Sequence, residues 1–125
     1  MWLLALLACG APTVSPEATE VIHHNAAESS DLQNKNTSLI VLDVRTDAEF
    51  RRGHVNGAIN IDVQSADFAK QLAKLDTTKE VLVHCQSGGR SRRTLPIVSA
   101  ADFAAVHHLD GGYGAWTAAG LPVVK

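Results

Sequence analysis

Short apolar runs separated by segments of helical character constrain this chain more than any other feature. Leu39-Ile40-Val41-Leu42 and Val81-Leu82-Val83-His84 are continuous buried-type runs, and Ala58-Ile59-Asn60-Ile61 and Val106-His107-His108-Leu109 are shorter or more polar ones. Continuous apolar runs of this length fit strands covered on both faces, as in a parallel sheet. Between them, Thr46-Asp47-Ala48-Glu49 is a capping box that opens a short helix through Arg52, stopped by Gly53. Phe68, Leu72 and Leu75 recur at helical spacing in a segment starting at Ser65. A further helix is expected from Ser91, and a last one from Tyr113 to Ala119, ended by Gly120. Strands alternating with helices pair in parallel through right-handed crossovers. The expected fold is therefore α/β, a small sandwich with a parallel sheet flanked by helices on both faces.

Toward the N-terminus, Ser15-Pro16-Glu17 offers a cap, a first-turn proline and an acid for a short helix through Ile22. Asn25 to Ser38 is polar without a period and reads as a surface loop. The 125 residues allow one domain, assigned to 17–125, and at 46% hydrophobic and 19% charged they supply a core. The first eight residues, MWLLALLA, form an uncharged apolar run too short to span a bilayer. Leu6-Leu7-Ala8-Cys9 resembles a bacterial lipobox, although no Lys or Arg precedes it. The resemblance implies a signal segment over 1–8, a tether over 9–16 and lipidation of Cys9, with the protein exported and anchored in the bacterial envelope or periplasm. The alternative is a hydrophobic N-terminal strand or helix on a cytoplasmic protein. Membrane association is expected only through that lipid. Net charge is −2, which supplies no general field for nucleic acid, and none is expected as a partner.

Two cysteines are too few for a disulfide scaffold or a Cys-based zinc site. With Cys9 acylated, Cys85 is the remaining thiol, and it stands at the carboxyl end of a buried-type strand, where α/β sheets build their sites. The turn Cys85-Gln86-Ser87-Gly88-Gly89-Arg90 then leads into a helix. Backbone N–H groups of such a turn form an anion nest, and the helix dipole and Arg90 favour thiolate further. This pocket suits a nucleophilic sulfur that must carry a second, anionic sulfur. Asp43 to Arg45 occupy the same end of the 39–42 strand.

These segments resemble a single-domain rhodanese, the sulfurtransferase family that carries sulfane sulfur as a cysteine persulfide. The matching pieces, in order, are Val41-Leu42-Asp43-Val44-Arg45, Glu49-Phe50 with Gly53-His54-Val55, and Gly57-Ala58-Ile59-Asn60-Ile61. Val83-His84-Cys85-Gln86-Ser87-Gly88-Gly89-Arg90-Ser91 and Leu109-Asp110-Gly111-Gly112-Tyr113-Gly114-Ala115-Trp116 complete the set. The resemblance implies Cys85 as nucleophile. Gln86, Ser87, Gly88, Gly89, Arg90 and Ser91 bind the transferred sulfur and its anionic donor, and Asp43 and Arg45 support the loop. It implies no metal or organic cofactor, a sulfur donor such as thiosulfate or a polysulfide, a thiol or cyanide acceptor, and a monomer. Pro96 departs from a regular helix after the loop.

Two other functions compete. A phosphatase or arsenate reductase uses five residues between cysteine and arginine, whereas only four separate Cys85 from Arg90. A non-catalytic binding module would dispense with Cys85. His23-His24 and His107-His108 are adjacent pairs whose members point in opposite directions on an extended strand, and with no acid in sight they are not expected to ligate metal. His84 is expected to face away from the thiol, His54 to serve a turn, and Trp116 to pack the last helix. Arg51-Arg52 with Arg90-Arg92-Arg93 could form a basic rim, or simply solvated helix faces.

Overall fold

The computed structural model describes residues 19–125. Its elements, in chain order, are β1 (Val21–His24), α1 (Ala26–Lys35), β2 (Ile40–Asp43), α2 (Asp47–Arg52), β3 (His54–Val55), β4 (Ile59–Asn60) and α3 (Phe68–Leu72). Then follow β5 (Glu80–His84), α4 (Gly89–Ala100), β6 (Ala105–Leu109), α5 (Gly112–Ala118) and β7 (Val123–Val124). The sheet has the order β1-β6-β5-β2-β4, with every neighbouring pair parallel. The α/β architecture is therefore as the apolar runs required. β3 and β7 form a separate antiparallel pair.

Alternation along the central strands sorts the core into two layers. Leu42, Val81, Val83, Cys85 and Val106 face Phe68 and Leu72 of α3 and Val98 of α4. Val41, Leu82 and Leu109 face the opposite way, toward Ala26 of α1 and Trp116 of α5. Trp116 packs the last helix as expected, and its Nε1–H donates to the Pro122 carbonyl at 2.9 Å. β5 lies in the middle of the sheet between β2 and β6, so the residue that follows it emerges at the centre of the molecule.

Two N-terminal expectations are corrected. Residues 21–24 form an edge strand rather than the end of a helix, because Val21 to His24 pair with Val106 to Leu109. Residues 26–35 form α1 rather than a loop. Asn25 caps it, accepting from the Glu28 amide while the Glu28 carboxylate accepts from the Asn25 amide. The capping box at Thr46 and Glu49 forms as read, a contribution of about 1 kcal/mol to α2. The helix expected from Ser65 is confined to Phe68–Leu72. The signal segment 1–8, the tether 9–16, the cap at Ser15 and the lipidation site Cys9 lie outside the described residues.

Pro96 sits inside α4 without ending it. The proline, which has no N–H to donate to the Arg92 carbonyl, and Arg92 itself are both exposed. His54 donates from Nδ1 to the Phe50 carbonyl at 2.8 Å and stacks on the Phe50 ring, which is a turn role.

Candidate active site

β5 ends at His84 and α4 begins at Gly89, so Cys85 opens a four-residue connection at the carboxyl edge of the sheet. The thiol belongs to the α3/α4 layer, and Cys85 is 1% exposed. The Gly88 amide donates to Sγ at 3.0 Å, and the Ser91 hydroxyl lies 3.4 Å from it. Burial pushes the Cys85 thiol up. Hydrogen bonds from the Ser91 hydroxyl and from the amides of Ser91, Gly88 and Ser87 outweigh it and hold the thiol below its ordinary value. Gly88 caps the helix at φ +110°, and a side chain there would collide with the Asp110 carbonyl. Gly112, at φ +66°, lets α5 abut the loop: the Tyr113 and Gly114 amides donate to the Cys85 and Gln86 carbonyls at 2.8 and 2.9 Å. A β-carbon on Gly112 would stand 2.6 Å from those same loop atoms. Gln86, Ser87 and Gly89 are exposed and form the rim above the sulfur.

Asp43 and Arg45 support this loop from the opposite layer. Arg45 Nη2 and Nε donate to Asp43 Oδ2 at 2.7 and 3.0 Å, and Nη2 also donates to the Gly53 carbonyl at 2.7 Å. The pair is buried, with the guanidinium 4.2 Å above the Tyr113 ring centroid. Its Nη1 reaches Gln86 Oε1 at 3.3 Å, which ties the ion pair to the loop. His84 faces away from the sulfur, as expected of a strand neighbour. Its Nδ1 donates to the Cys85 carbonyl at 3.0 Å, and its Nε2 lies 3.9 Å from Asp43 Oδ2 without a hydrogen bond among the described residues. Burial pushes the His84 pKa down, so the ring is neutral and is not a general base for Cys85.

Arg90 is not aimed at the sulfur. Its Nη1 and Nη2 donate to the two carboxylate oxygens of Glu49 at 2.7 and 3.0 Å. That guanidinium, reinforced by Thr46 and opposed by desolvation, holds Glu49 down to about 2. The charge that a reading of the loop alone assigns to the thiolate is thus paired with a carboxylate from α2, while Arg90 still interacts electrostatically with Cys85. Beside it a cleft of about 330 Å³ is lined by Arg45, Glu49, Arg52, Gly53, Gln86, Tyr113 and Thr117. Arg52 makes no ion pair among the described residues, whereas Arg51 pairs with Asp47 on the surface.

Ser91 is fully buried beside the sulfur. Its hydroxyl lies 2.7 Å from His108 Nε2, and His108 Nδ1 in turn lies 2.9 Å from Asp110 Oδ1. His23 Nδ1 also lies 2.9 Å from that oxygen. The expectation that no acid stands near the histidines is therefore corrected. Parallel pairing of β1 with β6 sets His23 opposite His108, with Asp110 two residues further on.

The family model for the rhodanese-like domain matches residues 25–119, which include every element from α1 to α5. Thiosulfate sulfurtransferase 18 of Arabidopsis thaliana is 33% identical over 121 residues, covering 87% of this chain and 88% of its own. The chloroplastic thiosulfate sulfurtransferase 16 of the same plant is 38% identical over 91 residues, 65% of this chain and 76% of its own. The crystal structure of a rhodanese-related protein from Thermoplasma volcanium superposes with a TM-score of 0.70 at 29% identity, covering 82% of this chain and 97% of that one.

Proposed function

Since this chain belongs to the rhodanese-like domain family, we propose that it is a sulfurtransferase that carries sulfane sulfur on Cys85. The observation that carries the reading is the hydrogen-bonded cradle of that free thiol. An amide at 3.0 Å and a hydroxyl at 3.4 Å stabilise negative sulfur inside a wall that otherwise excludes water.

The Cys85 thiolate attacks the outer sulfur of thiosulfate. The S–S bond of the donor breaks and sulfite leaves with its electron pair, so Cys85 becomes a persulfide. An acceptor thiolate or cyanide then attacks the outer sulfur of that persulfide, and the Cys85 thiolate is the leaving group. Two half-reactions through a covalent intermediate give ping-pong kinetics. The same amides that hold the resting thiolate face the charge of the persulfide. The oxyanion end of the donor enters the cleft beside Gln86, where Arg52 is the cation without a carboxylate partner among the described residues.

Arg90 supports sulfur over phosphate chemistry. A tetrahedral oxyanion cradle needs the arginine that closes its loop, and here that side chain is held on Glu49. The test is thiocyanate formation from thiosulfate and cyanide by the wild type and by Cys85→Ser. Parallel double-reciprocal lines for the wild type and loss of turnover in the variant are expected. Equal turnover by Cys85→Ser overturns the assignment.

A further inference from the structure

We propose that His23, His108 and Asp110 form a binding site for a divalent transition-metal ion of the zinc class, built across the β1–β6 seam behind the Cys85 loop. Three potential ligand atoms converge there. His23 Nδ1 and His108 Nδ1 are 3.1 Å apart, and each lies 2.9 Å from Asp110 Oδ1. In a tetrahedral zinc site with bonds of about 2.05 Å, ligand atoms are separated by about 3.3 Å. The observed triangle needs to open by only about 0.3 Å to match that spacing. An ion at bonding distance from all three then lies about 0.7 Å above their plane, with a fourth position left for water.

The arrangement of the rings supports the same conclusion. The two imidazoles meet edge to face, with an interplanar angle of 87°, so they approach a common point from different directions rather than stacking. His108 is fully buried, and its Nε2 is fixed at 2.7 Å from the Ser91 hydroxyl, the outer contact that orients a histidine ligand. His23 and Asp110 are 48% and 46% exposed, so an ion has a path from solvent. Two imidazoles and one carboxylate suit zinc, cobalt or nickel better than calcium or magnesium. Arg92, whose Nη2 is 4.0 Å from Asp110 Oδ1, is the cation an ion must displace, and its side chain is 55% exposed and able to swing away.

The other histidine set on the same strands lacks this geometry. His107 uses Nδ1 toward His24 at 2.8 Å and Nε2 toward Glu80 at 2.8 Å. Those nitrogens lie on opposite sides of one ring, so the three groups form a line with no common centre. The site at His23 stands independently of the reaction assigned to Cys85. With an ion on Nδ1, His108 carries its proton on Nε2 and donates to Ser91, one hydroxyl away from the sulfur.

Cobalt titration of the full chain carrying Cys9→Ser and Cys85→Ser tests the site without thiol ligands. One equivalent of Co²⁺ is expected to bind with visible d–d absorption and to be displaced by Zn²⁺. Separate His23→Ala and Asp110→Ala variants should lose that absorption while keeping the far-ultraviolet circular dichroism of the parent, and His24→Ala should retain it. Ser91→Ala should weaken binding by about 10-fold or more, as loss of an outer-shell partner does. Absence of saturable binding, or unchanged affinity in both His23→Ala and Asp110→Ala, overturns the proposal.

Discussion

Glu49→Gln separates charge from capping at the edge of the site. A glutamine at this position keeps the capping box, because its amide oxygen still accepts from the Thr46 amide. The variant removes the negative charge facing Arg90. The wild-type carboxyl is held at about 2 against an ordinary 4.5, chiefly by the Arg90 hydrogen bonds. At 1.36 kcal/mol per pH unit, that difference is about 3 kcal/mol at most. Arg90 and Glu49 remain 24% and 25% exposed, and solvent screening reduces the expected loss to about 1–2 kcal/mol at neutral pH. A folded pKa below the unfolded one gives stability that is complete above 4.5 and is lost as pH falls through about 2. Urea unfolding of both proteins between neutrality and about pH 2.5 should therefore show a difference that shrinks with acidity. The same variant frees the Arg90 guanidinium for the cleft, so the KM for thiosulfate should fall. A stability gap that stays constant with pH refutes the ion-pair reasoning and assigns the loss to packing.

Gly88→Ala forces a β-carbon onto the Asp110 carbonyl at φ +110°. It should cost about 2 kcal/mol or more in urea unfolding and slow Cys85 alkylation, and wild-type stability would contradict the required glycine. Ser91→Ala removes the hydroxyl beside Sγ at 3.4 Å and should move the alkylation–pH profile of Cys85 to higher pH. An unmoved profile would show that the amides suffice. Trp116→Ala empties the α5 layer of its largest side chain and should cost about 3–5 kcal/mol by urea unfolding, with a loss under about 1 kcal/mol contradicting that packing.

The central strands and the Cys85 loop were legible because their signals are local. Val41-Leu42 and Val81 to Val83 are continuously apolar, which only a doubly covered strand requires, and Thr46 and Glu49 cap a helix within a single turn. α1 escaped because its fully buried residues are Ala26 and Ser29, which leave no apolar stripe, although Asn25 and Glu28 carry the same capping signature as Thr46 and Glu49. β1 escaped because Val21-Ile22-His23-His24 lies at an edge and half its residues are histidine. That omission hid the histidine cluster. Members of each adjacent pair do point apart, but two such pairs on neighbouring strands place one histidine from each on the same face. The orientation of Arg90 was not legible, since its partner Glu49 is 41 residues away and comes from a different helix.

The central claim is that Cys85 itself carries the sulfur. Incubation of the full chain with thiosulfate, followed by intact mass measurement and peptide mapping under non-reducing conditions, tests it directly. The account predicts a gain of one sulfur atom on the peptide containing Cys85, its loss on addition of cyanide, and no gain in that peptide from Cys85→Ser. An unmodified Cys85 peptide in protein that still turns over thiosulfate would contradict the account.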